Sequence, residues 1–149
     1  ITIYIVMNLG FFSCLLMMKR NNVYYENIDD LSGLSKNHPL LSLSLLIILF
    51  SLAGIPPLGG FFAKFYVFTA VVEQKMYALA IIGLLTTVIS AFYYLRIIKT
   101  IYFDDSVVSF DITKNKFAQL SIFISCSILL TFFLYPSVLN NVVDTLFLN

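Results

Sequence analysis

From Leu40 to Val72 the chain runs for 33 residues with one formal charge, Lys64, and two adjacent prolines, Pro56 and Pro57, near its middle. As one straight helix that run would reach about 50 Å at 1.5 Å per residue, well beyond the roughly 30 Å of bilayer hydrocarbon. It has to be interrupted, and the interruption is legible at 53–60, AGIPPLGG. Neither proline can donate a backbone hydrogen bond, and Pro56 pushes Ile55 away from helical angles. Carbonyls one turn earlier, around Leu52 and Ala53, then lose their partners. An unpaired carbonyl is expensive in hydrocarbon, so such a break survives only where protein or water satisfies it. Gly54, Gly59 and Gly60 flank the prolines. A discontinuous helix of this kind is a common way to build an ion site at mid-membrane depth.

Three further apolar segments, 1–18, 76–98 and 117–139, are long enough to cross a bilayer. With 60% apolar and 11% charged residues, the chain lies outside the range of soluble domains. The expected fold is an all-α membrane protein: one helical unit over 1–149 with four transmembrane segments, the second of which, 40–72, is broken near 54–60. The first segment is closed by Lys19 and Arg20 and lacks a basic leader and a small-residue cleavage site, so it is read as structure. Its neighbours are expected upstream or on another chain. A formal net charge of +1 offers no basic surface to nucleic acid. Cys14 and Cys126, with a single histidine, cannot assemble an iron–sulfur cluster or a closed zinc site of common type. Both cysteines sit inside apolar runs and are read as small buried hydrophobes, not as a disulfide.

Orientation follows from counting cations. Alternation places 19–39 and 96–116 on one side with seven Lys and Arg, while the other side holds Lys75. The positive-inside rule puts the first side in the cytoplasm or, in a mitochondrion, the matrix. Within that side, 26–39 is expected to form a short surface helix, with Asp29 or Asp30 near its start and Ile28, Leu31 and Leu34 along one face.

Lys64 lies nine residues before Glu73, which places it about 14 Å of helical rise from that interface. Snorkelling is difficult from there. An ammonium at the bilayer centre costs about 2.5–3.5 kcal/mol on insertion scales. Taking an amine out of water favours its neutral form, and a lysine drawn toward neutrality can take up and release a proton. Two readings stand side by side. Lys64 is a titrating group in a proton path, or it is a plug that donates hydrogen bonds to the carbonyls freed by the break and never titrates. Thr86, Ser90 and Tyr93 or Tyr94 recur at helical spacing and would line a wet path beside it, or they are ordinary packing between membrane helices. His38, at the mouth of the broken helix, is a candidate for passing protons because an imidazole can both accept and donate one, and its alternative is an interfacial residue. Arg96 and Lys99 are expected to anchor the end of their helix among lipid phosphates.

The runs 38–72, HPLLSLSLLIILFSLAGIPPLGGFFAKFYVFTAVV, and 79–103, LAIIGLLTTVISAFYYLRIIKTIYF, resemble the C-terminal third of NADH-ubiquinone oxidoreductase chain 2, the bacterial subunit N of complex I. The segments YIVMNLGFF (4–12) and IDDLSGLSKNHP (28–39) fit the same family, and the likeness fades after about residue 105. The resemblance implies helices 11 to 14 of an antiporter-like subunit built from two inverted repeats, each with one broken helix. It puts Lys64 on the family's lysine in broken helix 12, as a proton-transfer group, within a proton-translocating NADH:ubiquinone oxidoreductase of the respiratory chain. No cofactor is implied in this chain; FMN, iron–sulfur clusters and ubiquinone are expected in other subunits. Implied partners are the N-terminal remainder of the subunit on a separate polypeptide, neighbours resembling chains 4, 4L and 5, and membrane lipids. An initial Ile read as an ATT or ATA start, together with richness in Phe, Ile, Asn and Tyr, suggests a mitochondrial inner membrane, with a bacterial plasma membrane as the alternative. A cation/proton antiporter or membrane-bound hydrogenase subunit, or a spacer that no longer pumps, shares the ancestry.

Overall fold

The structure, a computed structural model, describes residues 1–20, 23–24, 27–105, 111–112 and 115–134. Its helices are α1 (Thr2–Met17), α2 (Leu34–Asn37), α3 (Pro39–Ala53), α4 (Gly59–Glu73), α5 (Tyr77–Phe103) and α6 (Lys116–Leu134). Four apolar segments were expected: α1, the pair α3 and α4, α5 and α6 fall on them in order. The end of the fourth segment, 135–139, and Glu26 and Lys114 of the charged loops lie outside the described residues.

The second segment divides as its prolines require. α3 starts with Pro39 in its first turn, where a missing N–H is harmless, and stops before Pro56. The third segment runs further than expected, to Phe103. Packing sets that end: Ile98 and Ile101 are buried, so α5 continues past Arg96 and Lys99. Lys99 then meets Asp104 at 3.7 Å just beyond the helix.

Among the described residues, α5 is the one helix long and apolar enough by itself to cross a membrane, while α1, α3 and most of α6 are shorter apolar helices. Its Ile82, Leu85, Ile89 and Phe92 all face outward and exposed. A core helix of a soluble protein would bury such residues, and an outward apolar surface on this scale suits hydrocarbon.

Two local features depart from the all-helical expectation. A small antiparallel sheet joins β1 (Met18–Arg20) to β2 (Val23–Tyr24) and β3 (Asp111–Ile112), with β1 in the middle. α1 ends and α6 begins at the same end of the bundle, so the chains leaving and entering them run close enough to pair. In place of one surface helix, a 3-10 turn (Ile28–Leu31) and α2 are separated by Gly33 in the left-handed region at φ 67°. Asn27 caps the turn, its backbone N–H donating to Asp30 Oδ2 at 3.3 Å.

α3 is the hub of the core. Its Leu41, Leu45, Ile48 and Leu49 are buried among Met7 and Cys14 of α1, Ile101 of α5, and Ile122 and Leu129 of α6. α1 and α6 approach closely: a Cβ on Gly10 would lie 2.8 Å from Ser125 Cβ, and Ser13 Oγ meets Ser121 Oγ at 3.0 Å. Cys14 and Cys126 are free thiols, the first fully buried and the second half-buried.

Candidate functional site: the helix break and Lys64

The last carbonyls of α3 can be accounted for one by one. In an uninterrupted helix the carbonyl of residue i accepts from the N–H of residue i+4. Gly54 takes the left-handed conformation at φ 82°, which lets its own N–H reach Ser51 O at 3.0 Å and the N–H of Ile55 reach Phe50 O at 3.1 Å. That is the Schellman arrangement, and glycine is the residue that enters it without strain. Leu52 and Ala53 remain. Their i+4 residues are Pro56 and Pro57, neither of which has an N–H.

Lys64 supplies both missing donors. Its Nζ lies 2.9 Å from Leu52 O and 3.2 Å from Ala53 O. The side chain returns across the break from the second turn of α4, running so close to Gly54 that a Cβ there would meet Lys64 Cδ at 3.0 Å and Nζ at 3.2 Å. The other end of the break is held by Gly60, whose N–H donates to Ser51 Oγ at 3.0 Å. A Cβ on Gly60 would overlap the Ser51 carbonyl oxygen, so this glycine is what lets α4 start directly against α3. Gly59 is buried beside it, whereas Pro56 and Pro57, joined by a cis peptide bond, are exposed at the outer side of the turn.

Lys64 is half-buried and faces a groove of about 530 Å³ between α4 and α5. Phe61, Phe68 and Val72 continue the α4 wall at helical spacing from Lys64, and Leu84, Thr87, Val88 and Ala91 form the α5 wall. The polar groups sharing the groove with the lysine are Thr69 and Thr87. Thr87 Oγ1 spends its hydrogen on its own helix, at 2.7 Å from Leu84 O and 3.0 Å from Gly83 O. Thr69 does the same toward Phe65 O at 2.9 Å. Each hydroxyl oxygen therefore keeps acceptor capacity for a group in the groove.

The other candidates fall elsewhere. Thr86 and Ser90 donate to Gly83 O and Thr86 O of α5 at 2.8 and 2.9 Å and are not among the groove's lining residues. Tyr94 packs against the hydrophobic core and Tyr93 is exposed. His38 stands at the start of α3, a helix length of about 22 Å from the carbonyls that hold Lys64. Thr69 and Thr87 are the groove residues that sequence reasoning missed. Among the described residues there is no cluster of three His, Cys, Asp or Glu that would hold a metal ion.

Comparison with known proteins identifies the family. Subunit N of the NADH-quinone oxidoreductase of Pelagibacter ubique is 66% identical over 143 residues, which is 96% of this chain and 30% of that protein. The corresponding subunit of Parvibaculum lavamentivorans is 49% identical over 137 residues, or 92% of this chain and 28% of its own length. The chain thus spans less than a third of these bacterial relatives. A structure of respiratory complex I from Thermus thermophilus with bound aureothin contains a chain that superposes with a TM-score of 0.75 at 25% identity, over 91% of this chain and 31% of that one. Residues 1–90 match the family described as NADH:quinone oxidoreductase/Mrp antiporter, transmembrane, and the chain belongs to that family.

Proposed function

We propose that this chain is the C-terminal part of a subunit N, or chain 2, type membrane subunit of respiratory complex I, and that Lys64 takes part in proton translocation driven by NADH oxidation and quinone reduction elsewhere in the complex. The observation that carries the reading is the bridge from Lys64 Nζ to the Leu52 and Ala53 carbonyls across the proline break. Likeness to subunit N relatives over nearly the whole chain supports the assignment to this subunit.

The bridge is compatible with titration. An ammonium has three N–H donors and a neutral amine has two plus a lone pair. Both protonation states can keep the two carbonyl bonds, so the proton that comes and goes is the third one, on the side toward the groove. In this way the lysine plugs the break and exchanges a proton without reopening it. Moving one charge against 100 mV requires about 2.3 kcal/mol, which electrostatic changes relayed from neighbouring subunits can supply.

Four membrane crossings follow in this reading, the second by α3 and α4 together, with 19–39 and 96–116 on the cytoplasmic side. Bacterial relatives favour a plasma membrane over the mitochondrial inner membrane. Richness in Phe, Ile, Asn and Tyr does not distinguish the two. The working assembly includes the rest of the subunit, of which this chain spans less than a third, and the other membrane-arm subunits. Flavin, iron–sulfur and quinone chemistry belong to subunits other than this one.

The test is the proton-to-NADH ratio of the intact complex carrying Lys64→Met. A lower ratio in assembled complex is expected, and an unchanged ratio would leave Lys64 as a plug only. Co-purification without flavin- and quinone-binding subunits would instead favour the cation/proton exchanger reading.

A further inference from the structure

A second groove, of about 500 Å³, lies away from Lys64 between the end of α1, the first turns of α3 and the first half of α6. Its walls are apolar, with Met17, Leu40 and Ile47 on one side and Phe123 and Cys126 on the other, and Gln119 near the mouth. It opens outward, since Leu40 is 80% and Phe123 70% exposed. Three features of the groove identify an occupant.

The first is depth. From Gln119 to Cys126 the α6 wall rises about 10 Å, a third of the roughly 30 Å hydrocarbon thickness, and so stays within one leaflet. Below Cys126 the seam closes on Leu129, which is fully buried. A partner helix crossing the bilayer would need a groove about three times as long, whereas the headgroup-proximal part of one acyl chain of one leaflet fits this depth.

The second is position. The groove's open end is where α1 stops and α3 and α6 start, the side that the Lys and Arg count assigns to the cytoplasm.

The third is charge. Lys116 precedes Gln119, Phe123 and Cys126 by three, seven and ten residues, and therefore lies on the groove face of α6 at its mouth. Helical side chains lean toward the N-terminus, so this one extends beyond the groove into the headgroup layer. Lys36 and Lys99, on the same side, pair with Asp105 and Asp104. Lys116 is exposed and makes no hydrogen bond or ion pair among the described residues.

We propose that this groove is a binding site for an anionic phospholipid of the cytoplasmic leaflet, with an acyl chain between α3 and α6 and the phosphate at Lys116. The inference depends on the membrane placement of the chain and not on any role of Lys64. Single lysines near an anionic leaflet enrich such lipids only modestly; the groove adds a fixed place for the chain.

The test uses the intact assembly in phosphatidylcholine vesicles with a photoactivatable acyl-chain probe, offered either as phosphatidylglycerol or as phosphatidylcholine. Peptides covering 116–126 and 39–47 should be labelled about fivefold more by the phosphatidylglycerol probe, the ratio one lysine contributes. Lys116→Gln should bring the two probes to parity, and Ser44→Phe, which fills the groove, should remove labelling by both. Lys75→Gln, at the opposite interface, should change nothing. Equal labelling of the unaltered assembly by both probes, labelling confined to other peptides, or cross-linking of α6 to a neighbouring subunit would overturn the proposal.

Discussion

Lys64 Nζ lies 2.9 Å from the carbonyl oxygen of Leu52, the acceptor for which Pro56, four residues on, has no N–H to offer. The break and the lysine are therefore one structural unit, and substitutions at either should be felt by both.

Arginine and methionine at position 64 should separate that unit's two roles. Lys64→Met leaves the carbonyls of the buried Leu52 and Ala53 unpaired, a loss of about 1–3 kcal/mol for each unsatisfied group. Lys64→Arg keeps donors for those carbonyls but does not deprotonate in proteins. Thermal unfolding of the assembled complex should therefore show a clear loss for methionine and a small one for arginine, with proton pumping reduced in both. Full pumping by the arginine variant would show that the group does not need to release its proton.

Gly54→Ala should act through the same lysine. The residue holds φ 82°, where an L side chain costs about 1–2 kcal/mol. Its new Cβ would also lie 3.0 Å from Lys64 Cδ. Reduced thermal stability and reduced proton stoichiometry are expected together. A variant that is destabilised yet pumps at the normal ratio would show that Lys64 tolerates displacement.

The break was legible in the sequence because it rests on local chemistry. Two prolines lack two N–H groups, the carbonyls they abandon are fixed by the i to i+4 rule, and a lone lysine stands within reach. Which face of α5 lines the groove was not legible. In α5 the outward residues Ile82, Leu85 and Ile89 are as apolar as those that pack, so no polar stripe marks the helix's rotation. Thr86 and Thr87 are adjacent in sequence, and only packing against α4 decides that Thr87 shares the groove with Lys64. A sharper marker was available at Gly83, where a Cβ would lie 2.8 Å from Phe68 Cε1, because a glycine in a membrane helix often signals the contact side. The small sheet was missed for a different reason. Its two- and three-residue strands form because distant helix ends meet, and no local pattern records that.

Gly60 should tolerate less than its hydrogen-bond partner. Ser51→Ala removes the acceptor for one buried N–H, which costs about 1–3 kcal/mol and leaves the backbone path intact. Gly60→Ala instead drives a methyl group into the Ser51 carbonyl oxygen, and neither backbone can yield without moving α3 against α4. The recovered amount of assembled complex should fall modestly for Ser51→Ala and severely for Gly60→Ala. The reverse order would mean that the helices are less tightly apposed than described.

If Lys64 exchanges its third proton through the groove, the hydroxyls that share the groove should matter and their sequence neighbours should not. Thr87 commits its hydrogen to Leu84 and Gly83 carbonyls, which leaves its oxygen as an acceptor facing the space that Lys64 also lines. Thr87→Val preserves shape and removes that acceptor, so proton pumping should slow several-fold with little change in stability. Thr87→Ser restores the oxygen and should recover most of the loss, a rescue that a purely steric role would not show. Thr86→Val and Ser90→Ala delete hydroxyls that bond within their own helix outside the groove, and both should pump at close to the unaltered rate. Equal losses at Thr86 and Thr87 would mean that hydroxyls stabilise α5 in general and have no particular bearing on the lysine.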